Sequence, residues 1–148
     1  MGTSPDDTWP VAMPTLNDVA RIARTLPEVE ERERRGTRTW LVRDKTFAWE
    51  RPFSKADIKR FGDAPVPQGT ILAVRVANLG VKEAVLAAMP DSFFNIAHFD
   101  GFAGVLIQLS RVSMADLRDA LIDAWAACAP PQLAVEFNDT LVFWNRSS

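Results

Sequence analysis

His98 and Asp100 stand one residue apart in the stretch NIAHFDGF. An imidazole beside a carboxylate is a general base with its orienting partner, because the carboxylate holds the ring in one tautomer. His98 is the only histidine of the chain, so a centre of this type has one place to be. No nucleophile or ligand set accompanies it, and an Asp-Gly pair also has a purely geometric use as a turn. His98 and Asp100 are therefore carried forward as a ligand or turn site, with the turn favoured, and no residue is assigned as catalytic. Cys128 lies on the apolar stripe of a helix and reads as a small core residue rather than a nucleophile. One histidine and one cysteine cannot furnish a structural zinc site. The chain lacks G-x-G-x-x-G, G-x-x-x-x-G-K-[ST] and G-x-S-x-G, so the commonest nucleotide and hydrolase signatures are missing and no cofactor is expected.

The other chemistry available is cationic. Arg38, Arg43, Lys45, Arg51, Lys55, Lys59 and Arg60 follow one another closely and could contact phosphates. The chain as a whole has a net charge of −2, which argues against a protein built wholly around nucleic acid. The charge is uneven, however. Residues 21–60 hold 12 Lys/Arg against 7 Asp/Glu, while residues 1–20 stand at −3 and residues 61–148 at −4. An anionic partner would meet the first half.

These residues need a scaffold, and 148 residues with 47% hydrophobic content are enough for one compact core. Residues 1–14 contain three prolines and no periodicity, and form a lead-in. Thr15 caps a helix whose Leu16, Val19, Ile22, Ala23 and Leu26 share one face before Pro27. The charge-dense EVEERERRG, 28–36, reads as a solvated helix extension or loop. TRTWLVRDKTFAWE then forms a hairpin turning at Asp44-Lys45, which places Trp40, Val42, Phe47 and Trp49 together on a core face. That register argues against the tryptophans as a stacking platform for bases. Ser54 and Gly62 bracket a short helix, TILAVRVA (70–77) is a strand, and VKEAVLAAM is a helix burying Val81, Val85 and Ala88. A second hairpin turns at Asp100-Gly101, with His98 at the end of its first strand and VLIQL as the second. Ser113 caps the best helix, with Met114, Leu117, Leu121, Ala124, Trp125 and Cys128 as its stripe. Residues 131–148 form a C-terminal extension whose apolar LVFW, 141–144, could dock as an edge strand or engage a protein partner.

Two hairpins imply an antiparallel sheet, and amphipathic helices at both ends suit one face of it. The fold class is α+β in two layers, over a single domain at 15–130.

Three pieces of this chain, K-x-F-A at 45–48, F-F-x-x-x-H-F-D-G at 93–101 and L-R-D-A-L-I-D-A-W with Ala129-Pro130, resemble the MmcQ/YjbR-like family of small bacterial proteins. The resemblance spans about residues 16–130 in element order. It implies a CyaY-like fold and DNA binding through a double wing motif, with the two hairpins as wings. Only the first hairpin is basic; residues 92–110 contain no Lys or Arg. The likeness to CyaY also raises iron binding, but Arg21 and Arg24 interrupt the acidic ridge that this would need.

The sequence thus favours a weak, non-specific, phosphate-directed DNA-binding protein acting through the first hairpin. A non-catalytic protein-interaction or small-ligand module is the alternative, and an enzyme centred on His98 and Asp100 ranks third. No stretch approaches the roughly 18 to 20 apolar residues that span a bilayer, and no export signal opens the chain, so a cytoplasmic protein without a membrane partner is expected.

Overall fold

A computed structural model describes residues 13–137. Helix α1 (Leu16–Ala23) is followed by strands β1 (Val29–Arg34), β2 (Thr37–Val42) and β3 (Lys45–Glu50). Helix α2 (Lys55–Phe61), strand β4 (Ile71–Arg75), helix α3 (Leu79–Ala88), strand β5 (Phe93–Phe94), strand β6 (Gly104–Gln108) and helix α4 (Met114–Cys128) complete the order. The six strands form one antiparallel sheet in the order β1-β2-β3-β4-β6-β5. Helix α4 lies across β3 and β4, and α1 packs on α4. The result is a two-layer α+β fold.

Local chemistry sets the helix starts. The Oγ atoms of Thr15, Ser54 and Ser113 accept from the backbone N–H three residues on, and Asp18 and Asp57 reciprocate, so α1 and α2 each begin with a full capping box. Between sheet and helices lie Val19, Ile22, Trp40, Phe47, Leu72, Ile107, Leu117, Leu121 and Trp125, all buried. Each such side chain contributes about 1.5–3 kcal/mol by leaving water.

Several expectations are corrected. The charged segment after α1 is a strand, β1, along one edge of the sheet. Its pairing with β2 makes it extended despite residues that rarely favour strands. Arg35 (φ 52°) and Gly36 (φ 80°) close the turn between β1 and β2. The next turn is made by Arg43 (φ 48°) and Asp44 (φ 69°), not Asp44-Lys45, because Val42 pairs with Lys45. Two consecutive positive φ values give the turn twist that suits paired strands. Leu41 then pairs with Thr46 but Trp40 with Ala48, so Phe47 is an extra residue, a β-bulge in β3. Beyond the bulge the side-chain alternation is reversed. Phe47 joins Trp40 and Val42 under the helices, while Trp49, paired with Thr39, emerges on the opposite face.

The second hairpin is shorter than expected. Strand β5 has two residues, and the chain from 95 to 103 is a loop with a 3-10 turn at Ala97–Phe99. His98 is on that turn rather than on a strand end. Helix α3 buries Lys82 and turns Val85, Leu86 and Met89 towards the core, whereas Val81 and Ala88 are exposed. After α4, a helical segment starts at residue 131 and runs to 137, with the Phe137 ring 5.0 Å from that of Trp125. The LVFW run at 141–144 lies outside the described residues. Among the described residues no helix is long and apolar enough to cross a membrane.

Candidate anion site on the open face of the sheet

The face of the sheet away from α1 and α4 is divided. Over β4 and β6, Ile96 and Phe99 of the loop 95–103 bury Ile71, Ala73 and Leu106, with Phe61 of α2, Phe53 before it and Phe94 of β5 packed against them. Over β2 and β3 the face carries a cleft of ≈ 690 Å³, while Thr39 and Leu41 of β2 on the same face are buried. That volume falls in the range of small-ligand sites.

Trp49 and Phe102 form the aromatic part of the cleft, their rings 6.3 Å apart and nearly edge to face. Thr37, Thr39 and Thr46 supply hydroxyls. Four guanidinium groups, those of Arg34, Arg35, Arg51 and Arg75, meet one carboxylate, that of Glu50. Arg34, Arg35 and Arg75 make no ion pair among the described residues. Arg75 stacks over Phe102, 5.0 Å from the ring centroid, while its Nε donates to Ala103 O at 3.3 Å. Arg51 donates from Nη1 to Asp57 Oδ2 at 2.9 Å and lies over Phe99. In a chain of net charge −2 this is a local concentration of positive charge over low-dielectric walls.

The loop that shapes one wall is held from below. Lys82, 6% exposed, donates from Nζ to Phe99 O at 2.7 Å and to Phe102 O at 2.9 Å. Burial pushes this ammonium below the usual lysine range, with Asp100 opposing. Gly104 completes the arrangement: a Cβ placed there would lie 2.5 Å from Phe102 Cε2 and 3.3 Å from Val74 O. Gly104→Ala is accordingly expected to displace the Phe102 ring and cost about 1–3 kcal/mol, read from the urea midpoint of unfolding.

The cations singled out in the sequence are dispersed. Arg43 makes a two-pronged ion pair with Glu28. Arg38 makes another with Glu31, at 2.8 and 3.2 Å, donates to Asn17 Oδ1 and lies over the Trp40 ring. These partners hold the Glu28 and Glu31 carboxyls below their ordinary range, chiefly through the arginine hydrogen bonds. Arg32 is likewise shared between Glu30 and Asp44. The acidic residues before the first hairpin thus neutralise its arginines. Lys45, Lys55 and Lys59 are exposed, and Arg60 lies 3.8 Å from Asp57. Of the seven, only Arg51 lines the cleft.

His98 is exposed, and no hydrogen bond joins it to Asp100, whose Oδ1 accepts instead from Asn95 Nδ2 at 2.8 Å. The base-and-orienter arrangement is not formed. Cys128 is buried against Thr46 O, and burial pushes its thiol up. Arg34, Arg35, Arg75 and Trp49 were not legible as a site. The signal available was the alternation of Arg32 and Arg34 in a strand that reads as a loop.

An antiparallel six-stranded sheet backed by α1 and α4 defines a class with a solved representative. The crystal structure of Deinococcus radiodurans protein DR2400, with its domain DUF419, superposes with a TM-score of 0.56 at 19% identity, over 77% of this chain and 78% of that one. That likeness is one of fold. No family model matches the chain. The uncharacterized proteins Rv2570 of Mycobacterium tuberculosis (strain ATCC 25618 / H37Rv) and Mb2600 of Mycobacterium bovis are each 41% identical over 128 residues, covering 84% of this chain and 96% of theirs. The chain belongs to the family of these mycobacterial proteins.

Proposed function

We propose that this is an MmcQ/YjbR-like, non-catalytic DNA-binding protein of the cytoplasm, weak and phosphate-directed, whose contact surface is the open face of the sheet rather than the tip of the first hairpin. The observation that carries this reading is the gathering of Arg34, Arg35 and Arg75 in one cleft, none of them ion-paired among the described residues, while Arg51 beside them is held by Asp57 and Arg38 and Arg43 by Glu31 and Glu28. Guanidinium groups without carboxylate partners can release phosphate counterions; paired ones must first give up their partner.

The test is fluorescence anisotropy of labelled DNA, as single strand and as duplex, at low and at physiological salt. The expected result is salt-sensitive binding, with log K falling by about 0.7 to 0.9 per phosphate contact in log salt. Arg34→Glu with Arg75→Glu should weaken it by more than about tenfold, since each reversal replaces attraction by repulsion. Arg43→Glu with Lys45→Glu should have the smaller effect. If the hairpin pair dominated instead, the wing would be the contact. No binding at low salt would remove DNA as the partner.

A second reading, a small anionic ligand, is favoured by the ≈ 690 Å³ concavity itself, with Trp49 and Phe102 inside it.

A further inference from the structure

The bulge at Phe47 has one product that backbone pairing alone does not need: it brings Trp49 out of the helix-covered core and into the cleft. Bulges recur beside functional sites, where they re-aim a side chain. Trp49 is half-buried, with Phe99 at 6.1 Å and Phe102 at 6.3 Å between ring centroids. It is therefore braced on one side and accessible from the cleft on the other.

The cations are placed on both sides of it. Arg34, on β1, shares the open face with Thr37 and Thr39 through its pairing, and Arg35 follows in the turn. Arg75 is on β4, on the other side of β3. Strands β1 and β4 are three strand spacings apart, roughly 14 Å. A free mononucleotide concentrates its charge at one end, whereas a strand presents a phosphate on each side of every base. A duplex hides its base faces in the stack.

We infer that the open face binds single-stranded DNA, with one unpaired base stacked on Trp49 and its flanking phosphates held by Arg34 and Arg35 on one side and by Arg75 on the other. This rests on the reading of the cleft as a phosphate site and adds the ring as its base contact. Stacking on an aromatic side chain is tolerant of base identity and is lost on truncation of the ring. Affinity then has two separable parts, a salt-dependent one from the arginines and a salt-independent one from the ring.

Labelled oligothymidylate, a strand of equal length built from abasic residues, the matching duplex and thymidine monophosphate as competitor separate these parts. The thymidylate strand is expected to bind about tenfold more tightly than the abasic strand. Trp49→Leu should erase that difference without changing the salt slope, and Trp49→Phe should keep most of it. Arg34→Glu with Arg75→Glu should weaken both strands. Circular dichroism and the melting temperature of each variant establish that it is folded, and Trp49→Phe, which keeps a ring in the packing, guards against a structural cause. Equal, salt-sensitive binding of the thymidylate and abasic strands would overturn the stacking while leaving the phosphate reading intact. Tighter binding of the duplex, or displacement by the monophosphate at the same concentration as by the strand, would overturn the single strand as occupant. Absence of binding to every probe at low salt would remove the phosphate reading, and this inference with it.

Discussion

Replacing Trp125 by alanine is expected to destabilise the protein by about 3–5 kcal/mol, the usual range for removing a buried tryptophan ring. Trp125 is fully buried in α4, in the cluster that joins both layers. Three losses coincide at this residue. The ring leaves a cavity beneath the sheet, its contact with Phe137 disappears, and Pro27 O loses the hydrogen bond it accepts from Trp125 Nε1 at 3.0 Å. That hydrogen bond ties α4 to the segment that ends α1, so the effect should spread to the first helix. Total stabilities of domains are about 5–15 kcal/mol, which leaves this variant marginal at best. Urea unfolding followed by far-ultraviolet circular dichroism reads the loss. Trp125→Phe, which keeps a ring but no donor, should retain the larger share. If Trp125→Ala unfolded within about 1 kcal/mol of wild type, the packing described for α4 would be wrong.

The second large effect is expected at Asp57. Its side chain is 2% exposed, and its carboxylate accepts from Ser54 N at 2.9 Å and from Arg51 Nη1 at 2.9 Å, so it closes the capping box of α2 and neutralises a partly buried guanidinium at once. Asp57→Ala removes the reciprocal half of the capping box and leaves Arg51 without its counter-charge. Breaking one side of a buried pair costs about 3–5 kcal/mol, reduced here because 19% of the Arg51 side chain remains in contact with water. Burial pushes the Asp57 carboxyl up, but the hydrogen bonds from Ser54 and Arg51 together outweigh it and hold the carboxyl below the ordinary value of 3.8. A depressed carboxyl stabilises the fold fully above the unfolded-state value, and that stability disappears as pH falls through the folded value. The gap between wild type and Asp57→Ala should therefore be constant near neutrality and close below about pH 4. Denaturant unfolding of both proteins at several acidic pH values measures it. A gap that widened on acidification would contradict the ion pair.

Much of the scaffold was legible because period and caps are local. Thr15, Ser54 and Ser113 mark the helix starts, and the stripe from Leu117 to Cys128 identifies the buried side of α4. The cleft was not legible, for two reasons of long range. Strand β1 carries no apolar alternation, because an edge strand can be built from Glu and Arg when its partner β2 supplies the hydrogen bonds. The bulge goes with tertiary packing: Trp40, Phe47 and Ala48 all join the core beneath α4, and the extra residue in β3 puts the consecutive Phe47 and Ala48 on that side. A strictly alternating reading keeps Trp49 with Trp40 and so hides the cleft. The 3-10 turn at Ala97–Phe99 was missed for a similar reason, since Phe99 turns inward to cover Ile71 and Ala73 instead of continuing a ladder.

The two borders of the sheet have a bearing on self-association. On one side runs β1, with Glu30, Arg32 and Arg34 alternating with Glu31 and Glu33; on the other is β5, only two residues long. A second copy approaching β1 would have to desolvate the ion pairs already formed by Glu30, Glu31 and Arg32, and one approaching β5 would find almost no ladder to extend. Among the described residues, both borders therefore offer a poor template for strand addition.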